Sequence, residues 1–308
     1  MKRFPVAALG ATIVLAALQV APAQAAKATP KPHFPVTITA DGYTTTVARM
    51  PKRIVSLSPS GTEDLFAVGA GKQVIAVDDY SNFPKNAPMS KLSAFTPNLE
   101  AIVAMHPDLV VLNADATKAA DVRAGLVMLH IPVYMEKAPA GLSGAYLEMR
   151  QLGALTGHAA QATALIQRMQ RQIKGIIASV KITKPVRIFW ELDNTLYSVT
   201  SKTFIGQVVK SFNPAIVNIA DAAAGADASG YPQLSAEYLI AANPQVVFLA
   251  DAQYGESKAT VAARAGWSAV DAVQQGNIVA LPNDIPSRWG PRLVQLYRLI
   301  GNALAKVA

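Results

Sequence analysis

The chain has 308 residues, of which 51% are hydrophobic and 16% charged, a balance that supplies a large core and excludes an intrinsically disordered protein. The net charge of +8 is dispersed, without runs of basic and aromatic residues, so the composition gives no sign of nucleic-acid binding. The sequence contains no cysteine, which excludes disulfides, thiolate metal sites, thiol nucleophiles and a lipid attached through cysteine.

The first residues have the pattern of a secretory signal peptide. A charged start, Met1-Lys2-Arg3, precedes an apolar run that ends at Val20, and Ala23-Gln24-Ala25 supplies a small-x-small cleavage site. The apolar run of about 17 residues is short for a membrane span. We therefore predict a signal peptide over residues 1–25, cleavage near Ala25, and a periplasmic location.

Residues 26–50 are predicted to form a leader rich in Ala, Lys and Pro, followed by a small hairpin that turns at Asp41-Gly42. From Arg53 onward, short apolar runs alternate with helical segments. The predicted strands are Ile54–Leu57, Val74–Val77, Leu109–Leu112 and Val133–Met135, and the predicted helices lie at about residues 62–68, 98–105 and 117–129. This alternation is typical of a parallel sheet covered on both faces, and we assign residues 51–157 to an N-terminal lobe.

A long amphipathic helix is predicted next. Its apolar positions follow the 3, 4, 7 spacing from Leu165 to Val180, between Gly157 and Lys184-Pro185. We predict a bridging helix over residues 158–184 and a C-terminal lobe over residues 185–308. Because no Gly- or Ser-rich linker follows the helix, we expect it to hold the lobes stiffly.

The second half of the chain repeats the pattern of the first. Residues 99–112 can be set against residues 236–249 at a constant offset of 137, which places Glu100 and Glu237 at equivalent positions. Each segment has an acidic residue near a helix start, a proline after the helix, and a buried strand. The predicted fold class is therefore α/β, with two Rossmann-like lobes that contain parallel sheets and are bridged by one long α-helix.

Three segments resemble the periplasmic binding proteins for vitamin B12 and iron-siderophores. They are the stretches Arg53–Glu63 (RIVSLSPSGTE), Asn98–Val110 and Asp284–Arg292 (DIPSRWGPR). The resemblance implies a monomeric, non-enzymatic receptor that captures a small molecule between its lobes and delivers it to the membrane permease subunits of an ABC importer. It also implies a corrinoid such as cobalamin as the ligand, with a ferric siderophore or haem as the alternative, and no cofactor or metal of the protein's own.

The resemblance also implies a set of ligand-binding residues just beyond the strand ends, where open α/β sheets bind ligands. These residues are Tyr80, Phe95, Asn113, Tyr197, Tyr231, Asp284 and Arg288. Aromatic faces suit a large flat ligand, and the Arg288 guanidinium offers a planar fork of donors. The alternative for Asp284 and Arg288 is an ordinary surface ion pair. At Phe95, Asn113 and Tyr231, family members that bind vitamin B12 have bulkier aromatic residues.

Two further roles are predicted at helix starts. The resemblance implies that Glu100 and Glu237 meet arginines of the importer, whereas the alternative is simple compensation of the helix dipole. Ser60 and Glu63 fit a capping box at the start of the first helix of the N-terminal lobe.

Metal binding and hydrolysis are two other functions whose motifs are weak or missing in the sequence. The histidines His33, His106, His130 and His158 are scattered without metal-ligand spacing, so no metal site is expected. A secreted hydrolase remains the alternative from another functional class, although the sequence has no G-x-S-x-G motif.

Overall fold

The computed structural model describes residues 32–223, 229–282 and 284–308. The predicted signal peptide and most of the leader lie outside the described residues, so cleavage near Ala25 stays a prediction. Within the described residues, every helix is too short or too polar to span a membrane.

The predicted hairpin is present and belongs to the N-terminal lobe. Strands β1 (Val36–Ala40) and β2 (Tyr43–Val47) pair antiparallel around Asp41-Gly42, whose φ angles of 51° and 81° are both positive, as a type I′ turn requires. The hydroxyl of Thr45 donates to the carbonyl of Val133, 2.6 Å away, and so ties the hairpin to the neighbouring sheet.

The N-terminal lobe contains a four-stranded parallel sheet. Its strands are β3 (Ile54–Leu57), β4 (Val74–Val77), β5 (Leu109–Asn113) and β6 (Val133–Glu136), in the order β4-β3-β5-β6. Its helices are α1 (Pro59–Ala67), α2 (Leu99–Val103), α3 (Ala119–Met128) and α4 (Leu142–Leu155). The strands are almost entirely buried, as expected for apolar runs covered by helices on both faces.

The bridging helix is α5 (Ala159–Ser179), which packs closely on α4. A Cβ atom at Gly153 would lie 2.4 Å from the Cβ of Ala162, so this crossing requires glycine. Gly157, with φ of +81°, separates the two helices.

The C-terminal lobe repeats the topology of the first lobe. It contains β7 (Val186–Glu191), α6 (Phe204–Lys210), β8 (Ile216–Asn218), α7 (Ala220–Ala223), α8 (Ala236–Ala242), β9 (Val246–Leu249), α9 (Lys258–Ala262), α10 (Asp271–Gln274), β10 (Ile278–Ala280) and α11 (Leu293–Leu304). Its parallel sheet has the order β8-β7-β9-β10, which matches β4-β3-β5-β6 strand for strand. The predicted fold class is confirmed, and Glu100 and Glu237 lie in the first turns of the equivalent helices α2 and α8.

One hydrophobic core continues through both lobes. It includes Leu65 and Met149 of the N-terminal lobe, Met169 of α5, and Trp190 and Tyr297 of the C-terminal lobe. Helix α11 packs on α5 within this core. The lobes are therefore joined by packed side chains as well as by the chain itself. The lobe boundaries at residues 51, 158 and 185 stay predictions.

The predicted capping box at the start of α1 is wrong. The N-cap residue is Ser58, whose Oγ accepts from the amide of Gly61 at 3.2 Å, and the helix begins at Pro59. A serine before a proline is the preferred start of a helix, so this pair outcompetes Ser60 and Glu63. Both of those side chains instead contact the C-terminal lobe.

Candidate ligand-binding cleft between the lobes

A cavity of about 470 Å³ lies between the two lobes, beyond the carboxyl ends of their strands. Parallel strands present loops and helix starts at this edge, which is where open α/β sheets bind ligands. The residues that line it are Ser58, Pro59, Ser60, Tyr80, Asn82, Ala94, Phe95 and Asn113 of the N-terminal lobe, and Gln253, Tyr254, Asp284, Ser287, Arg288 and Trp289 of the C-terminal lobe.

Two aromatic rings form the apolar part of the N-terminal wall. The rings of Tyr80 and Phe95 meet edge to face, with centroids 5.0 Å apart and an interplanar angle of 81°. Tyr80 is 49% exposed and Phe95 53% exposed, so both keep open surface toward the cleft. The buried carboxylate of Asp78 accepts from the amide of Tyr80 at 2.8 Å and from the hydroxyl of Ser81 at 2.6 Å, which fixes the loop that carries Tyr80. The N-terminal wall of the cleft is therefore preorganised before a ligand binds.

The opposite wall carries an aromatic residue that the sequence analysis did not select. Tyr254 lies in a 3₁₀ turn after β9 and is 81% exposed. A ring this exposed contributes little to core packing, and it lines the cavity beside Gln253. Tyr254, like Tyr80, is an aromatic residue that follows a strand end, and this position is the sequence signal that could have indicated it.

The structure brings five of the seven predicted ligand-binding residues into this cavity. They are Tyr80, Phe95, Asn113, Asp284 and Arg288. The other two, Tyr197 and Tyr231, are not among its described lining residues. They are 41% and 47% exposed on the segments that follow β7 and precede α8, where Tyr197 pairs with Gln233. Both therefore lie at the same edge of the C-terminal sheet but outside the cavity itself.

The ion pair between Asp284 and Arg288 is mostly buried, so the surface-pair alternative is wrong. Their atoms Oδ2 and Nη2 are 3.1 Å apart, and the side chains are only 10% and 13% exposed. Nη2 of Arg292 also contacts Oδ1 of Asp284, at 3.0 Å, so two arginines bind this carboxylate. Arg288 in addition reaches the carbonyl of Tyr80 at 3.5 Å, across the cleft.

Arg292 joins the two lobes beneath the cavity. Its Nε donates to Oε2 of Glu63 on α1 at 3.0 Å, and its Nη2 donates to Oε1 of the same carboxylate. Arg292 is 7% exposed and Glu63 2% exposed, so this is a buried, two-pronged ion pair. Burial still raises the pKa of Glu63, although Arg292 opposes the rise. This pair could not be predicted from local patterns, because its members are 229 residues apart.

Trp289 makes a second connection between the lobes. Its backbone amide donates to Oγ of Ser60 at 3.3 Å, and its indole Nε1 donates to Oε1 of Glu136 at 2.7 Å. Glu136 is the last residue of β6 and is 1% exposed. Residues of both lobes therefore form the floor of the cleft, and hydrogen bonds connect them.

The two glutamates predicted to meet the importer are both exposed at helix starts. Asn98 caps α2 before Glu100, and Ser235 caps α8 before Glu237. Hydrogen bonds from its own amide and from Ser235 lower the pKa of Glu237, which keeps that carboxylate charged. Each glutamate lies at the carboxyl edge of its own sheet, the edge that borders the cleft.

The sequence profile of the periplasmic binding protein family matches residues 54–285, which is most of the chain. The chain belongs to this family. A periplasmic binding protein is a solute-binding protein and not an enzyme, so the secreted hydrolase is excluded.

Two curated relatives show how far the similarity of this periplasmic binding protein extends. An ABC transporter substrate-binding lipoprotein of Bacillus subtilis, YvrC, is 29% identical over 270 residues, which cover 85% of this chain and 83% of the relative. A cobalamin-binding protein of Halobacterium salinarum is 28% identical over 292 residues, which cover 92% of this chain and 77% of the relative. The protein is therefore the substrate-binding component of an ABC importer, acts outside the cytoplasm, and delivers a small ligand to a membrane permease.

Three solved structures share the fold of this periplasmic binding protein. A possible iron-binding protein of Staphylococcus epidermidis superposes with a TM-score of 0.71 at 24% identity, covering 83% of this chain and 99% of the other. The vitamin B12 binding protein BtuF of Vibrio cholerae gives 0.66 at 23% identity, covering 83% and 97%. The haem-binding protein RhuT of Roseiflexus gives 0.68 at 22% identity, covering 83% and 98%. At these identities the likeness establishes the two-lobed fold alone.

Proposed function

We propose that the protein captures a corrinoid such as cobalamin in the cleft between its lobes. The observation that carries this proposal is the chemistry of the cavity lining, which combines aromatic rings with neutral hydrogen-bonding groups. The rings are Tyr80, Phe95 and Tyr254, and the neutral groups include the amides of Asn113 and Gln253. A corrin macrocycle is flat and apolar on its faces and carries neutral amide side chains around its edge, so it matches both parts of the lining.

The charge of the lining supports the same ligand. Arg288 is the cationic residue among the described lining residues, and Asp284 is the anionic one, paired with it at 3.1 Å. A neutral or weakly charged ligand suits such a balanced site, whereas a multiply charged ferric siderophore would call for unpaired cations. The similarity to the cobalamin-binding protein of Halobacterium salinarum is in line with this inference.

A whole cobalamin is larger than the cavity, so part of it would extend out of the cleft. We propose that this part contacts Tyr197 and Tyr231, which are exposed at the same edge of the C-terminal sheet. Glu100 and Glu237, one on each lobe, would then meet basic residues of the permease and set the register of docking.

Haem is the second candidate, and one observation favours it. Tyr80 and Tyr254 line the cavity from opposite lobes and are largely exposed, and tyrosine is a known axial ligand of ferric haem. Two of the solved structures with this fold are described as binding iron or haem.

Titration of the purified protein with cyanocobalamin, haem and a ferric siderophore separates these ligands. We expect saturable binding of cyanocobalamin with a shifted corrin spectrum, and about 10- to 100-fold weaker binding by Arg288→Ala, because charge-assisted hydrogen bonds contribute about 1.5–3 kcal/mol. Arg187→Ala, at an exposed ion pair, is the matched control and should bind like the wild type. If haem binds and cyanocobalamin does not, with a haem absorption band that changes in Tyr254→Phe, the corrinoid proposal is wrong.

A further inference from the structure

A buried carboxyl group lies directly beneath the cleft and connects its two lobes. Glu136 ends strand β6 of the N-terminal lobe and is 1% exposed. Its Oε1 accepts from the indole Nε1 of Trp289 at 2.7 Å, and Trp289 belongs to the C-terminal lobe and lines the cavity. This hydrogen bond therefore positions a wall residue of the cleft from below.

The surroundings of Glu136 disfavour a negative charge. The titratable and charged groups that face it are Asp64 on α1, Asp78 after β4, Glu148 on α4, Tyr134 on β6 and Arg288 after β10. Asp64 is fully buried, and within the described residues neither of its carboxyl oxygens has a hydrogen-bond partner. Among the described residues, Oε2 of Glu136 and Oε2 of Glu148 likewise have no hydrogen-bond partner.

The cation that favours an ionised Glu136, Arg288, is already engaged. Arg288 pairs with Asp284 and reaches the Tyr80 carbonyl across the cleft. An ionised Glu136 would therefore be a buried charge that competes with Asp284 and with the ligand for the same guanidinium. A protonated Glu136 can still accept the indole N–H while it leaves Arg288 in the cleft.

We propose that Glu136 is a positioning residue for ligand binding: in its protonated form it holds Trp289 in place without drawing Arg288 away from Asp284 and the cleft. The ligand's identity rests on the function proposed above, but the hydrogen bond and the protonation state do not. Burial is the main cause that raises the pKa of Glu136, to about 8, with Trp289, Arg288 and the nearby backbone amide of Gly61 opposing it. Burial and Glu136 together raise the pKa of Glu148 to about 9.

Protons can reach this cluster without passing through the ligand site. Glu148 lines a separate cavity of about 400 Å³ on the outer face of the N-terminal lobe, together with Asp41 and Gln151. The protonation of the cluster can therefore follow the pH outside the cytoplasm, even when the cleft is filled.

The first test uses the ligand-free protein. The sequence has three tryptophans, so a ¹H–¹⁵N spectrum shows three indole signals, and Trp289→Phe assigns one of them. We expect the Trp289 signal to move between pH 6 and 10 with a midpoint near 8 in the wild type. In Glu136→Gln this step should be absent, and only the effect of Glu148, whose pKa is raised to about 9 and which also interacts with the indole, should remain. Asp251→Asn is the matched control, because burial raises the pKa of this other buried carboxyl to about 7 and it belongs to the C-terminal lobe. That variant should keep the wild-type titration.

The second test measures the affinity of the protein for cyanocobalamin as a function of pH. If binding requires the protonated form, affinity at pH 9 should be about tenfold weaker than at pH 7, since one proton is taken up per ligand bound. Glu136→Gln should remove this dependence. Should that variant fail to fold, Trp289→Phe serves instead: loss of the indole donor should weaken binding at pH 7 and move the pH step upward.

An indole signal that stays fixed in the wild type, or that titrates equally in Glu136→Gln, would overturn the positioning role. A normal titration without any binding of cyanocobalamin would instead reject the corrinoid and leave the role of Glu136 intact. The affinity series would then be run with haem.

Discussion

Arg292 offers a direct test of how strongly the two lobes are held together. It is 7% exposed and contacts two carboxylates, Glu63 of the N-terminal lobe and Asp284 of its own lobe. Replacement by methionine keeps most of the side-chain volume and removes only the charge and the donors. Glu63 would then be a buried carboxylate without a cation.

The cost of this change follows from burial. Removing one partner of a buried ion pair typically destabilises a protein by about 3–5 kcal/mol. Arg288 remains beside Asp284 at 3.1 Å, so only Glu63 is left without a cation, and we expect a loss near the lower limit, about 3 kcal/mol at pH 7. Burial already raises the pKa of Glu63, so protonation should relieve the loss as the pH falls toward 5.

Urea unfolding followed by circular dichroism at pH 7 and pH 5 measures both effects. Arg187→Met is the control: its pair with Asp271 has a 3.5 Å separation and side chains 37% and 40% exposed, and its Nε donates to the carbonyl of Asn243 at 2.8 Å. Loss of this exposed pair and one hydrogen bond should cost at most about 2 kcal/mol. Combining Arg292→Met with Glu63→Gln should recover part of the stability. If Arg292→Met costs no more than the control at pH 7, the ion pair does not hold the lobes together.

Three further results are expected. Glu100→Ala combined with Glu237→Ala should bind ligand like the wild type but lose uptake in cells, and uptake at the full rate would refute the docking role. Tyr254→Ala should weaken ligand binding about tenfold in calorimetric titration, since an aromatic contact contributes about 0.5–1.5 kcal/mol beyond its buried area, whereas an unchanged affinity would remove Tyr254 from the site. Because the pKa values of Glu136 and Glu148 are raised to about 8 and about 9, stability should be greatest near pH 4.5 and fall as the pH rises to 9; a urea midpoint that rises over this range would contradict it.

The sequence predicted the strands of the N-terminal lobe well. Strands β3 and β4 begin and end at the predicted residues, because short continuous apolar runs are characteristic of strands buried on both faces. The duplicated topology also followed from the repeat, since the segments around Glu100 and Glu237 fold into the same helix and strand.

The connections between the lobes could not be predicted in this way. The bond from Trp289 to Glu136 spans 153 residues, and the pair of Arg292 with Glu63 spans 229. Periodicity reports only on neighbours along the chain, so it says nothing about such pairs. The start of α1 was misplaced for a related reason, because Ser60 and Glu63 fit a local motif but are used for contacts to the other lobe.

The shared interior of α4, α5 and α11 has a consequence for transport. Separating the lobes would expose this shared core, so we expect the receptor to present a similar outline to the permease whether it is empty or full. Unloaded copies would then occupy the importer as readily as loaded ones, and the rate of uptake would depend on the fraction of receptors that carry cargo. The importer would then have to detect the cargo itself, at the open mouth of the cleft, and not a change in the shape of its carrier.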